Sequence, residues 1–183
     1  MKCALACLCV LSACASSPRA LSPLAATDLP GSDGSAHALP TNGLTVLVFF
    51  SAHCDCQAAH DPRLVELARR YQRRGIAFYA VDSEVARTLA QDASEARARG
   101  YPYPILLDRE AKLARMLDAE YATYSVVLDR AGRVLYRGGV DSDLIDLTQD
   151  TTAYLRDALD DSLAGRAPRR PFGKTLGCSL RID

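Results

Sequence analysis

Residues 44–82 read LTVLVFFSAHCDCQAAHDPRLVELARRYQRRGIAFYAVD, and this stretch decides the fold. LTVLVFF (44–50) is an unbroken run of aliphatic, β-branched and aromatic residues, the pattern of a strand covered on both faces. After the two cysteines, Leu64, Leu67, Ala68 and Tyr71 recur at helical spacing, and Gly75 supplies a stop. Pro62 fits the first turn of that helix or a kink in a longer one. IAFYAVD (76–82) is a second strand. Strand, helix and strand of this kind make a parallel crossover unit, the building block of α/β folds.

The punctuation stays regular beyond it. Residues 84–99, between Ser83 and Gly100, carry cap signals at both ends and read as a helix. YPYPILLD then gives a short strand and REAKLARML a short helix. SVVLD and RVLYRG flank Arg130-Ala131-Gly132 and read as an antiparallel hairpin. A last helix runs from about Thr152 to Ala164, with Leu155, Ala158, Leu159 and Leu163 on one face. The fold class is therefore α/β, with a central mixed sheet flanked by helices and a short strand-helix insert before the C-terminal hairpin. Residues 44–164 form the domain, and 165–183 are a tail carrying Cys178. With 49% hydrophobic residues in a 183-residue chain, a core forms without metal or disulfide staples. The formal net charge of +0 argues against nucleic acid as a partner. RRYQRR (69–74) and Asp141 with Asp143 read as a solvated helix face and a loop lining.

The N-terminus, MKCALACLCVLSAC, has one basic residue, a short apolar run and small residues before Cys14. This is an export signal too short to span a bilayer. Leu11-Ser12-Ala13-Cys14 resembles a bacterial lipobox, so residues 1–13 are expected to be removed and Cys14 to carry lipid. That predicts an exported bacterial lipoprotein on the periplasmic face of a cell-envelope membrane. Residues 14–43 are rich in Ser, Ala, Pro and Gly and read as a flexible tether, with His37 solvated inside it. Of seven cysteines, Cys54, Cys56 and Cys178 remain for chemistry, in a compartment that permits disulfides.

Cys54-Asp55-Cys56 falls where the first strand ends and a helix begins, and carboxyl ends of strands are where α/β sites are built. Thiolate is the reactive form of cysteine, and a helix N-terminus favours it. Cys54 is the better placed sulfur; a protonated His53 assists it and Asp55 opposes it. A Cys54–Cys56 bridge needs a non-helical turn and closes a strained ring of about eleven atoms. Cofactor-free thiol chemistry is the main expectation. The rival is metal binding: His53, Cys54, Cys56 and His60 lie within one short segment and suit Cu(I) or Zn, although the one-residue cysteine spacing is tighter than zinc pairs usually show.

The order of elements, His53-Cys54 at the junction, YRGGVDSD after the hairpin and the tail LAGRAP…KTLGCSLRI resemble the thioredoxin-like redoxins. The resemblance is nearest to the alkyl hydroperoxide reductase/thiol-specific antioxidant group, in its secreted lipoprotein branch, over about residues 44–181. It implies a thioredoxin-like fold and a thiol-disulfide oxidoreductase acting on a thiol or disulfide protein or a small thiol. Cys54 is then the attacking sulfur, with Cys56 as first resolving partner. A thiol peroxidase with Cys178 as resolving cysteine is the alternative, and for it Ser51 stands where peroxiredoxins place a hydroxyl. Two features depart from the family. Asp55 replaces the proline that usually follows the first cysteine, and Thr123 occupies the position of the substrate-docking cis-proline. A non-proline cis bond costs about 2.5–4 kcal/mol, so a trans peptide is expected before Thr123.

Overall fold

The computed structural model describes residues 22–146, 148 and 151–183; the expected export signal (1–13) and Cys14 lie outside the described residues. In chain order the first elements are β1 (Thr27–Pro30), β2 (Ala36–Leu39), β3 (Thr45–Phe49), α1 (Asp55–Gln72) and β4 (Ala77–Asp82). Then come α2 (Leu89–Ala98), β5 (Ile105–Leu107), α3 (Lys112–Met116), β6 (Ser125–Leu128), β7 (Val134–Gly138) and α4 (Tyr154–Leu163). Five strands form one sheet in the order β5-β4-β3-β6-β7. β3 pairs parallel with β4, and β4 parallel with β5; β6 lies antiparallel to β3, and β7 antiparallel to β6.

All of β3 is buried, as its unbroken apolar run requires of a central strand. Its side chains alternate between two cores. Val46, Val48 and Phe50 pack with Leu64, Ala68 and Tyr71 of α1 and with Leu155, Ala158 and Leu159 of α4. Leu47 and Phe49 face Leu24, Leu39, Leu113 and Leu117 on the other side, and Cys54 and Cys56 belong to that second cluster.

Three expectations need correction. From Ser22 onward the expected tether is structured. β1 and β2 pair antiparallel around the Gly31–Ser35 turn, and Leu24 N–H donates to Gly132 O at 2.8 Å. Leu24 and Leu39 are 6% and 1% exposed, so the segment closes one face of the core. The Pro, Gly and Ser content that suggested a linker is the turn chemistry of a hairpin. His37 is correspondingly half-buried, with Nε2 at 3.0 Å from Asp33 Oδ1 and its ring edge-on to Tyr79.

The first helix begins at Asp55, where the sequence places a helix start, and is the longer of the two readings, with Pro62 inside it. The carbonyl that Pro62 leaves without a helical donor belongs to Ala58, which is exposed to water. The second helix starts at Leu89, because Thr88 and Gln91 form a capping box there. Residues 83–88 are instead a loop, pinned by Arg87, whose guanidinium bonds Asp82 at 2.8 Å and Asp92 at 3.2 Å.

Asp82 and Asp92 are both fully buried against this single guanidinium. Burial, and then the charge of Asp82, push Asp92 up to about 7. A carboxyl whose folded value is raised holds its proton more tightly when native. Its contribution is full below the unfolded value, near 4, and is lost as pH rises toward about 7. Denaturant midpoints should therefore be higher at about pH 5 than at about pH 8, and Asp92→Asn should remove most of that fall. An equal fall in the variant means that other groups cause it.

Candidate functional site

Cys54 is the residue that ends the β3 excursion and opens α1. Its backbone is extended and its carbonyl takes the first helical bond, from Ala58 N–H at 3.0 Å. The sulfur thus sits at the positive end of an 18-residue helix, where a thiolate is favoured. It is bonded to Cys178, with the two Cα atoms 5.6 Å apart, and Cys178 N–H points at Cys54 Sγ at 3.3 Å. Cys54 is 2% exposed, whereas Cys178 lies on the surface.

The tail reaches this position in two stages. Arg137 N–H donates to Pro171 O at 3.1 Å and Gly173 N–H returns to Arg137 O at 3.1 Å, so the tail first runs beside β7. A Cβ on Gly138, whose φ is +144°, would lie 2.2 Å from Gly173 O; only glycine admits this approach. The tail then crosses to residues 120–122, where Ala122 N–H donates to Cys178 O and Leu180 N–H to Glu120 O, each at 2.9 Å.

Cys56, expected to resolve Cys54, is not bonded to it and remains a free, buried thiol. Cys54 is extended at the helix start and Cys56 sits in the first helical turn, without the non-helical turn over residues 54–56 that a bridge between them needs. Its S–H instead donates toward Leu144 O at 3.0 Å and Leu176 O at 2.9 Å. Burial, and then the charge of Asp141, push the Cys56 thiol up, against a hydrogen bond from Thr123. It is a protonated donor that ties a loop and the tail to α1.

His60 lies one turn further on, 1% exposed, with Nδ1 at 2.8 Å from Cys56 O and Nε2 at 3.1 Å from Asp141 Oδ1. Burial alone depresses its pKa, but Asp141 and the Cys56 carbonyl outweigh burial and raise it. Arg63 then bonds Asp141 at 2.6 Å and Asp143 at 2.9 Å, completing a chain of alternating charge. The two aspartates therefore organise the loop after β7, and His60 points inward.

His53 is exposed. Ser51, the hydroxyl of the peroxidase alternative, is buried and donates to Glu84 Oε1 at 3.0 Å. The helical pattern over residues 84–99 hides Glu84 in the sequence; the signal for it is its place just past the carboxyl end of β4. Glu84 Oε1 also accepts Arg181 N–H at 3.4 Å, while Oε2 is buried with no hydrogen-bond partner. Thr123 follows a trans peptide, and its φ is +68°, rare for a β-branched residue. Its N–H is held by Phe49 O at 2.8 Å and its hydroxyl by Leu176 O at 3.0 Å. Proline fits neither that φ nor that bond, so this loop is built differently from a cis-proline loop.

The four nominated metal ligands do not converge: Cys54 is in the bridge, Cys56 and both His60 nitrogens are engaged, and His53 lies outside. Among the described residues no group of three His, Cys, Asp or Glu side chains is arranged to hold a metal.

Solved structures share this architecture. An uncharacterized conserved protein of Geobacillus kaustophilus is 26% identical with a TM-score of 0.81, covering 91% of this chain and 93% of its own. A hypothetical protein of Sinorhizobium meliloti is 26% identical with a TM-score of 0.80, covering 91% and 96%. A thiol-disulfide oxidoreductase of Bacteroides fragilis, at 16% identity, shares the fold with a TM-score of 0.54 over 63% of this chain and 89% of its own. No curated protein matches. The fold is thioredoxin-like. The sequence profile described as Redoxin matches residues 16–153, which takes in the whole sheet and the strand-helix junction that holds Cys54. The chain belongs to the redoxin family.

Proposed function

We propose that the protein is a thiol-disulfide oxidoreductase whose redox couple is Cys54–Cys178. The observation that carries this is the bridge itself, which joins a helix N-terminus to an exposed tail cysteine. In the reducing direction the Cys54 thiolate attacks a substrate disulfide, forming a mixed disulfide and releasing one substrate thiolate. The Cys178 thiolate then attacks Cys54 Sγ, closes the bridge and releases the second. Two electrons pass to the substrate, and two protons from the protein's thiols balance the products. Substrates are disulfide- or thiol-bearing proteins or small thiols. Ser51 is engaged by Glu84, so thiol exchange is preferred to peroxide reduction.

The test is equilibration of folded protein in stepped glutathione buffers, followed by alkylation and peptide mapping. Cys54 and Cys178 should change state together, while Cys56 alkylates only after denaturation. A bridge that survives excess dithiol in the native state overturns the reading, because it is then structural.

The export signal supports an exported lipoprotein held to a cell-envelope membrane through acylated Cys14, in a compartment where the bridge forms. Intact mass of membrane-extracted protein should show residues 1–13 removed and lipid on Cys14. A soluble mature chain with unmodified Cys14 ends that part of the proposal.

A further inference from the structure

Residues 176–181 of the tail lie in a groove as an extended peptide would. Tyr121 and Ser179 form an antiparallel bridge, flanked by the bonds Ala122 N–H to Cys178 O and Leu180 N–H to Glu120 O. Val85 N–H donates to Arg181 O at 2.9 Å on the far side, and the Thr123 hydroxyl and Cys56 thiol both donate to Leu176 O. Most of these bonds are made to the tail's main chain and ask nothing of its side chains. Three positions are selective. A Cβ at Gly177 would lie 2.1 Å from Ala122 O, so glycine must precede the cysteine. Leu180, 7% exposed, enters the cluster that contains Leu117, Ala122 and Cys54. Arg181 lies beside buried Glu84, its Nε at 3.5 Å from Oε1.

We infer that the groove between residues 120–123 and the loop at 83–85 is a peptide-binding site, which reads Gly-Cys-x-Leu-Arg in extended form and is filled by the chain's own tail when Cys54–Cys178 is closed. This rests on the redox reading and adds a substrate class to it: polypeptides with a cysteine preceded by glycine and followed, two residues on, by an aliphatic side chain. The tail wins by tethering, which raises its effective concentration without a contact that a free peptide lacks. Reduction removes the covalent hold, and a partner segment then competes for the same bonds.

The test uses the full chain with Cys178→Ser, and the same chain with Gly177→Val added to drive the tail out against Ala122 O. The probe is the peptide LGCSLR activated as its mixed disulfide with nitrothiobenzoate. The Cys54 thiolate attacks the peptide sulfur, a protein–peptide disulfide forms, and nitrothiobenzoate thiolate leaves. Release should be about tenfold faster or more in the double variant than in Cys178→Ser, and LVCSLR should lose that gain. The mixed disulfide of glutathione with nitrothiobenzoate reports how far loss of the tail uncovers Cys54, and its gain between the two proteins should be smaller than that of LGCSLR. If both peptides react alike while the glutathione probe still reacts with Cys54, the groove does not read sequence and the inference falls with the redox reading intact. Cys54 inert toward all three probes overturns both. Should the double variant not unfold cooperatively, the unsubstituted reduced protein serves. LGSSLR should slow closure of its Cys54–Cys178 bridge and LVSSLR should not; equal effects overturn the inference.

Discussion

Cys54→Ser should abolish disulfide exchange, lowering turnover of a protein disulfide on the order of a thousandfold or more, because the attacking sulfur is gone and Cys56, in the first turn of α1, is buried with its pKa pushed up. Cys178→Ser should stop at the mixed disulfide: Cys54 still attacks, but the sulfur that closes the bridge is missing. Cys56→Ser separates this from a Cys54–Cys56 couple. The Cys56 thiol is 3% exposed, shifted toward its protonated form and used as a donor to Leu144 O and Leu176 O. A serine hydroxyl can make the same donations, so turnover should stay within about threefold of the parent. Turnover measurements with trapping by mass spectrometry decide the point. A mixed disulfide that accumulates in Cys56→Ser and not in Cys178→Ser would falsify the Cys54–Cys178 couple.

The second large effect is on stability. The bridge closes a loop with a sequence separation of 124 residues. Cross-linking so long a loop restricts the unfolded chain, and the loop-entropy relation gives roughly 4–5 kcal/mol. Reduction, or Cys178→Ser, should lower the unfolding free energy by about that amount and the Tm by roughly 10–20 °C for a chain of this size. The comparison is best made in Cys56→Ser, oxidised against reduced, where no third thiol can exchange. A change below about 1 kcal/mol would mean that the tail frays independently, and that Leu180 and the bonds at residues 120–122 add nothing to the global fold. The same linkage bears on function, since whatever the bridge adds to stability also favours the oxidised form over the reduced one.

Much of the sheet was legible because its signals are local. The run of Leu44–Phe50 required burial on both faces, Arg130-Ala131-Gly132 announced a hairpin, and the cysteines fell at a strand's carboxyl end. Each of those readings depends on neighbours within a few residues. Where local chemistry has two uses, the sequence misled. Pro30-Gly31-Ser32-Asp33-Gly34 serves a linker and a hairpin turn equally well, and only the pairing of Thr27–Pro30 with Ala36–Leu39 distinguishes them. Ser83 looked like a helix cap, yet the Thr88–Gln91 box won, and Glu84 was left free to face Ser51.

By itself, then, the sequence determined a mixed α/β sheet and the placement of Cys54 at the opening of its first long helix, because hydrophobic period and turn chemistry act over short distances. Which sulfur meets Cys54 was a tertiary decision. A cysteine two residues away is held in the first turn of the helix and stays unbonded, and one 124 residues away is brought in because the backbone at Gly138 and Gly177 has no Cβ to hold the tail off. The same holds for His60 and Asp141, 81 residues apart and in hydrogen-bond contact. Such pairings depend on how close two remote backbones can come, and no periodicity within either segment records that distance.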